Sequence, residues 1–116
     1  MKIMSGPLGL LTALLAVLYF GASLFHSGIF VRASALDAAT IPEAILGLVL
    51  VAGLIGLIRS ALATYLIVLA GTLFGLTIVV LRGALGVDLW IHVAMLTGLL
   101  LGLALILRAR GRAVRA

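Results

Sequence analysis

The chain has 116 residues, 66% of them hydrophobic and 9% charged, with a net charge of +5. A soluble domain carries about 25% charged residues, so an ordinary soluble fold is excluded, and the expectation is a single membrane unit with no room for a soluble catalytic domain. Asn, Gln and Cys are absent, which removes thiolate metal sites, disulfides and amide-lined filters, and the basic residues flank apolar runs instead of interleaving with aromatics, which favours lipid headgroups over nucleic acid.

Four long uncharged runs cover 3–31, 44–58, 60–81 and 89–107, with lengths of 29, 15, 22 and 19 residues. A membrane-spanning helix needs about 17–25 apolar residues, and in lipid its backbone amides must bond internally. The first run exceeds the roughly 7–15 apolar residues of a secretory signal. Lys2 is therefore read as flanking an uncleaved helix, although Ala33-Ser34-Ala35 has the form of a cleavage site. Helix 1 is expected over 7–29, with Pro7 in its first turn and Ser5 as cap. A polar connection over 30–40 contains Arg32, Ser34, Asp37 and Thr40. Thr40-Ile41-Pro42-Glu43 reads as a capping box, Thr40 being the N-cap and Glu43 reaching back to it, and it opens helix 2 over 41–58. Arg59-Ser60 then breaks the chain into a tight hairpin that no Gly or Pro marks, because an unbroken helix over 41–82 would be about 60 Å long, twice the hydrocarbon thickness. Helix 3 is expected over 61–81, a loop from Arg82 to Asp88, helix 4 over 89–107, and a basic tail over 108–116.

Basic residues set the orientation. With the N-terminus inside, Lys2, Arg59, Arg108, Arg110, Arg112 and Arg115 are cytoplasmic, and Arg32 and Arg82 alone lie outside, which follows the positive-inside rule. The expectation is an all-α integral membrane four-helix bundle with both termini in the cytoplasm. Trp90 and Tyr65 fall near opposite interfaces, where aromatic anchors belong. Arg59, Arg108, Arg110, Arg112 and Arg115 are read as anchors on anionic lipid. The Arg-over-Lys preference in an Ala, Leu and Gly background suggests a bacterial inner membrane.

Helix association in lipid depends on close packing through small residues. Gly71-x-x-x-Gly75 on helix 3 and Ala94-x-x-x-Gly98-x-x-x-Gly102 on helix 4 are the main stripes, and weaker ones begin at Gly9 and Ala52. Each serves either contact within one bundle or docking of another subunit. A faint repeat at an offset near 50 aligns Phe20-Gly21 with Phe74-Gly75.

Ionisable groups in or near spans are candidates for function because hydrocarbon disfavours them. Those here are His26, Glu43, Asp88 and His92, all in one outer layer. Asp88 and His92 are four apart and share a helix face, as a carboxylate–imidazole pair would. Tyr19, Ser23 and His26 follow helical spacing as a polar stripe on helix 1. A ligand or proton site needs His26 and His92 to face each other across helices 1 and 4, with Glu43 nearby. The bland alternative has these residues facing headgroups, with Arg32 and Arg82 pairing Asp37, Glu43 or Asp88. The inner half of every span reads as almost wholly apolar.

In length and span number the chain resembles the small multidrug resistance transporters, but helix 1 lacks the acid on which that family centres. It is similar in size to the fluoride channels, whose pattern includes a membrane Asn that this chain does not have. Ile41-Pro42-Glu43-Ala44 and the stretch from Asp88 to Leu96 look like small four-helix bacterial membrane proteins of uncharacterised activity, a resemblance that implies a fold and no reaction. The leading expectation is therefore an accessory or assembly subunit, not an enzyme. It would pack on the lipid bilayer and on another membrane subunit or a second copy, without a cofactor. A small homo-oligomeric transporter or channel is one alternative, and a haem- or quinone-linked redox subunit using His26 and His92 is the other.

Overall fold

The computed structural model describes residues 3–29 and 37–116. Its helices are α1 (Gly6–His26), α2 (Thr40–Leu54), α3 (Ala61–Leu81) and α4 (Val87–Arg115), with a short 3-10 turn at Asp37–Ala39 leading into α2. Each helix packs on the next in the chain, and α4 closes the ring against α1. The result is an all-α four-helix bundle with α1 and α3 on one diagonal. Three helices, α1, α3 and α4, are long and apolar enough to cross a membrane. The fourth, α2, has 15 residues, about 22 Å of helix against a hydrocarbon layer of about 30 Å.

The helix ends differ from expectation for local reasons. Gly28 stops α1 three residues early at a φ of 75°, and the Ser27 hydroxyl donates to the Leu24 carbonyl at 2.6 Å. Helix α2 ends at Leu54, and the hairpin is marked by a glycine after all: Gly56 sits at φ 84°, a left-handed conformation that costs glycine nothing. Ser60 is the N-cap of α3, its hydroxyl accepting the Ala63 amide at 3.1 Å. The capping box does not form. Ala39 is the N-cap of α2 and makes no side-chain bond, Thr40 is the first helical residue, and the Glu43 carboxylate turns into the bundle. Ser5 occupies the N-cap of α1 beside Pro7, as expected, but its hydroxyl caps nothing. The basic segment after 107 is no loose tail: α4 runs on to Arg115, so Arg108, Arg110, Arg112 and Arg115 project as an exposed helical extension. Lys2, Arg32 and Ala33-Ser34-Ala35 lie outside the described residues.

Polarity is distributed inside out. Leu10, Leu14 and Val17 on α1, Ile41, Ile45 and Leu48 on α2, Phe74 on α3 and Trp90 on α4 are exposed, whereas Thr12, Ser23, His26, Glu43, Thr64, Thr72 and His92 are buried. Lipid as the surrounding solvent requires that arrangement, since an exposed apolar face is at no disadvantage there and a polar one is. Tyr65 is not an interfacial anchor: it is fully buried. It reaches α4 so closely that a Cβ on Gly102 would lie 2.0 Å from its ring. The small-residue stripes likewise serve the bundle itself. Gly98 packs on Leu15, Gly71 on Leu46 and Gly75 on His92, and of these positions only Ala94 faces outward.

Candidate functional site

The polar stripe of α1 supplies the core of the site. Tyr19, Ser23 and His26 all face inward, and between them they reach the other three helices. The Tyr19 hydroxyl bonds Thr72 of α3, the Ser23 hydroxyl donates to the Thr40 carbonyl of α2 at 2.5 Å, and Thr12, two turns below Tyr19, bonds the Tyr65 hydroxyl at 2.7 Å. Thr12 and Thr72 also donate to the carbonyls of Leu8 and Val68. A hydroxyl has one proton to give, so in both pairs the tyrosine is the donor and the threonine relays the bond to its own helix. The Thr12–Tyr65 rung corrects the expectation of an apolar inner half, and the Tyr19–Thr72 rung lies just beyond mid-helix. A usable signal was present: Thr12 and Tyr19 are seven apart, as are Tyr65 and Thr72. Seven residues are two helical turns, so two parallel helices bearing the types in opposite order pair them reciprocally.

The end of the bundle remote from the N-terminus, which the positive-inside expectation makes the outer one, carries the charge. His26, in the last turn of α1, is fully buried. Its Nδ1 lies 2.6 Å from Glu43 Oε2 in the first turn of α2, and its Nε2 bonds Asp88 Oδ1 in the first turn of α4. Three helices therefore converge on one ring. With both carboxylates ionised, each ring nitrogen must donate, so the ring is an imidazolium and the cluster carries one net negative charge.

Four expected site residues come together, though not as expected. His26 does not face His92 as a second ligand, because both of its nitrogens are engaged by carboxylates. Asp88 does not pair with the His92 ring; its carboxylate goes to His26, and His92 Nδ1 instead lies 2.8 Å from the Asp88 backbone carbonyl. That nitrogen must donate, which leaves Nε2 of a neutral ring as an acceptor, beside Gly75. Among the described residues no acid caps the bundle with an arginine: both salt bridges are made by His26, and Arg82 stands exposed, while Arg32 and the Asp37 side chain lie outside the described part of the chain. Among the described residues no three His, Cys, Asp or Glu side chains are grouped to hold a metal ion.

Beside the cluster lies a cavity of about 150 Å3, walled by Tyr19, Glu43, Leu46, Thr72, Gly75 and His92 among others. Ala38, Pro42 and Arg82, all exposed, belong to its outer rim. Glu43 Oε1 and Thr40 Oγ1 are buried with no hydrogen-bond partner. An unpaired buried acceptor is disfavoured by about 1–3 kcal/mol, more when charged, so among the described residues Glu43 and Thr40 mark the end of the core where hydrogen bonding is left incomplete, and Glu43 is the charged one of the two. No family model, no curated protein and no solved structure matches the chain.

Proposed function

We propose that this chain is a small multi-pass protein of a bacterial inner membrane, with both termini cytoplasmic, that exchanges protons for a small solute through the cluster at its outer end. The observation that carries the reading is His26 held between Glu43 and Asp88, each on a different helix. Ionisable groups inside a membrane bundle mark proton or substrate pathways by default, and here protonation is tied to packing. The imidazolium clamps α1, α2 and α4 through two charge-assisted bonds. A neutral ring has one N–H and can hold only one of the two carboxylates. Glu43 is the more deeply buried acid and Asp88 the more exposed, so loss of the proton releases Asp88, which solvent can reach, and loosens the outer end of α4. A proton-dependent change in helix packing is what a proton-coupled carrier requires.

The test is flux. Proteoliposomes loaded with a pH-sensitive dye are given an inside-acid gradient and a panel of amines, carboxylates and sugars. At least one solute should collapse the gradient with the wild-type protein and fail to do so with His26→Ala. The reading falls if every solute behaves as in protein-free vesicles.

One observation favours the accessory-subunit reading as a second possibility: α2 is too short to span the hydrocarbon on its own, and a partner helix or a second copy would cover the shortfall. The docking stripes that first suggested it are occupied within the bundle. A stoichiometric unrelated membrane protein that co-purifies in mild detergent, together with no flux, would put this reading first. A haem-linked role predicts a Soret band lost in His26→Ala or His92→Ala.

A further inference from the structure

We infer that the cavity beside the cluster is a binding site for a small hydroxylated aromatic ring of the phenol or hydroquinone class, with Glu43 Oε1 and His92 Nε2 as its hydrogen-bond acceptors. Three properties of the wall lead there. The first is size: about 150 Å3 is the volume at which an apolar protein cavity accommodates a benzene ring. The second is the polarity of the lining, which is mostly hydrocarbon from Leu46, Ile78, Val79 and Met95 with a few polar atoms.

The third is the direction of every hydrogen bond. Tyr19 has given its proton to Thr72, and Thr72 has given its own to Val68. His92 donates through Nδ1 to Asp88, and Glu43 has an unpartnered carboxylate oxygen on a side chain that is 5% exposed. The buried polar groups of this wall thus offer acceptors and no free donor. A ligand that fits must bring donors. An organic cation would also do so and would neutralise the net negative charge of the cluster, but Arg82 stands at the rim as a like charge in its way. A neutral O–H on an apolar ring does not meet that obstacle, and its bond to a carboxylate is charge-assisted.

The same chemistry sets a selectivity. p-Benzoquinone has the ring size of hydroquinone but only acceptors, so it would leave Glu43 unpaired and set its own oxygens against lone pairs. Sites built around a buried hydrogen bond reject the analogue that lacks the matching group far more strongly than sites that read size alone.

The inference uses the same cluster as the carrier reading but is tested by equilibrium binding, so the two can fail separately. The purified wild-type protein in nanodiscs is titrated under argon with hydroquinone, p-benzoquinone, toluene and benzylammonium. Hydroquinone should saturate one site per chain, with quinone and toluene weaker by 100-fold or more. Glu43→Gln should weaken hydroquinone by about 30-fold or more, as expected when one partner of a buried charged hydrogen bond is removed. Ile78→Trp, which fills the cavity without touching a charge, should abolish binding while the helical circular dichroism is unchanged. The inference is overturned if quinone or toluene binds as well as hydroquinone, if benzylammonium binds better, if binding survives Ile78→Trp, or if hydroquinone shows no saturable site. Hydroquinone binding without proton flux leaves the ligand site standing and removes the carrier reading; flux of another solute with no hydroquinone binding does the reverse.

Discussion

Two kinds of polar contact cross this core, and they are built on opposite plans. The Thr12–Tyr65 and Tyr19–Thr72 rungs are neutral and complete: every proton has an acceptor, and each chain of bonds ends on a backbone carbonyl. The His26 cluster is charged and incomplete, with one cation facing two carboxylates and one carboxylate oxygen left over. In lipid a complete neutral pair is a packing device of modest energy. An incomplete charged cluster is a poor packing device, since an apolar replacement commonly does as well. The rungs therefore hold the bundle in register, and the cluster is where the chain retains something that its stability does not need.

The widest separation between the two should appear on truncation. His26→Ala strands the buried Glu43 carboxylate and the partly buried Asp88 carboxylate and should destabilise the bundle by about 3–5 kcal/mol, read as a shift in the SDS-induced unfolding transition in mixed micelles. Neutralising the acids as well, in His26→Ala with Glu43→Gln and Asp88→Asn, should restore most of that loss, because the penalty belongs to the unpaired charges. If His26→Ala alone is as mild as removing a tyrosine hydroxyl, the comparison fails.

Gly102→Ala comes next and acts on a rung by displacement. The added Cβ would fall 2.0 Å from the Tyr65 ring, and overpacking of this kind costs about 1–3 kcal/mol. It should therefore destabilise more than Tyr65→Phe, which removes the rung's hydrogen bond and leaves the ring in place. The reverse order would mean that the bond, and not the packing of the aromatic ring, is what the rung contributes.

The number of helices, the hairpin order and the gathering of ionisable groups at one end of the bundle were readable from charge spacing, because lipid admits so few solutions, whereas the shortness of α2, which leaves three helices able to span, was not. What could not be read was which neighbour each polar group chooses. Glu43 three residues after Thr40 satisfies the sequence pattern of a capping box, but the helix takes Ala39 as its N-cap, and a buried imidazole 2.6 Å away is a stronger partner than a backbone amide. Asp88 and His92 have pairing distance along one helix, yet the carboxylate turns to another helix for the same reason. Tyr65 looked like an anchor because its place in the sequence gives its depth and not its direction. Its inward direction was encoded in the reciprocal seven-residue spacing with Thr12, Tyr19 and Thr72, a pattern visible only once α1 and α3 are known to lie parallel on a diagonal.

Removing the hydroxyls should be a small perturbation. Tyr19→Phe and Tyr65→Phe should each lower stability by about 0.6 kcal/mol, and by no more than about 1.7, because Thr72 and Thr12 keep their backbone acceptors and no buried donor is orphaned. The rungs are two helical turns apart, so the double substitution should be additive to within about 0.5 kcal/mol. A larger non-additive loss would make the rungs parts of one network that reaches the cluster, and the two regions would no longer be separable.

The smallest predicted effect has the opposite sign and bears most directly on why the outer end is incomplete. Thr40 Oγ1 is buried without a partner while its carbonyl accepts from Ser23 at 2.5 Å. Thr40→Val keeps the shape and the carbonyl and removes only the orphaned hydroxyl. Relief of its desolvation should leave stability unchanged or raise it by up to about 1 kcal/mol. If Thr40→Val instead destabilises the protein while Tyr19→Phe remains mild, the hydroxyl has a partner in solution, and the outer layer is hydrated around Glu43. The contrast with the rungs would then narrow to charge alone. If Thr40→Val is neutral or stabilising, the unsatisfied groups at this end are retained against stability, as expected of a site that awaits a proton or a ligand.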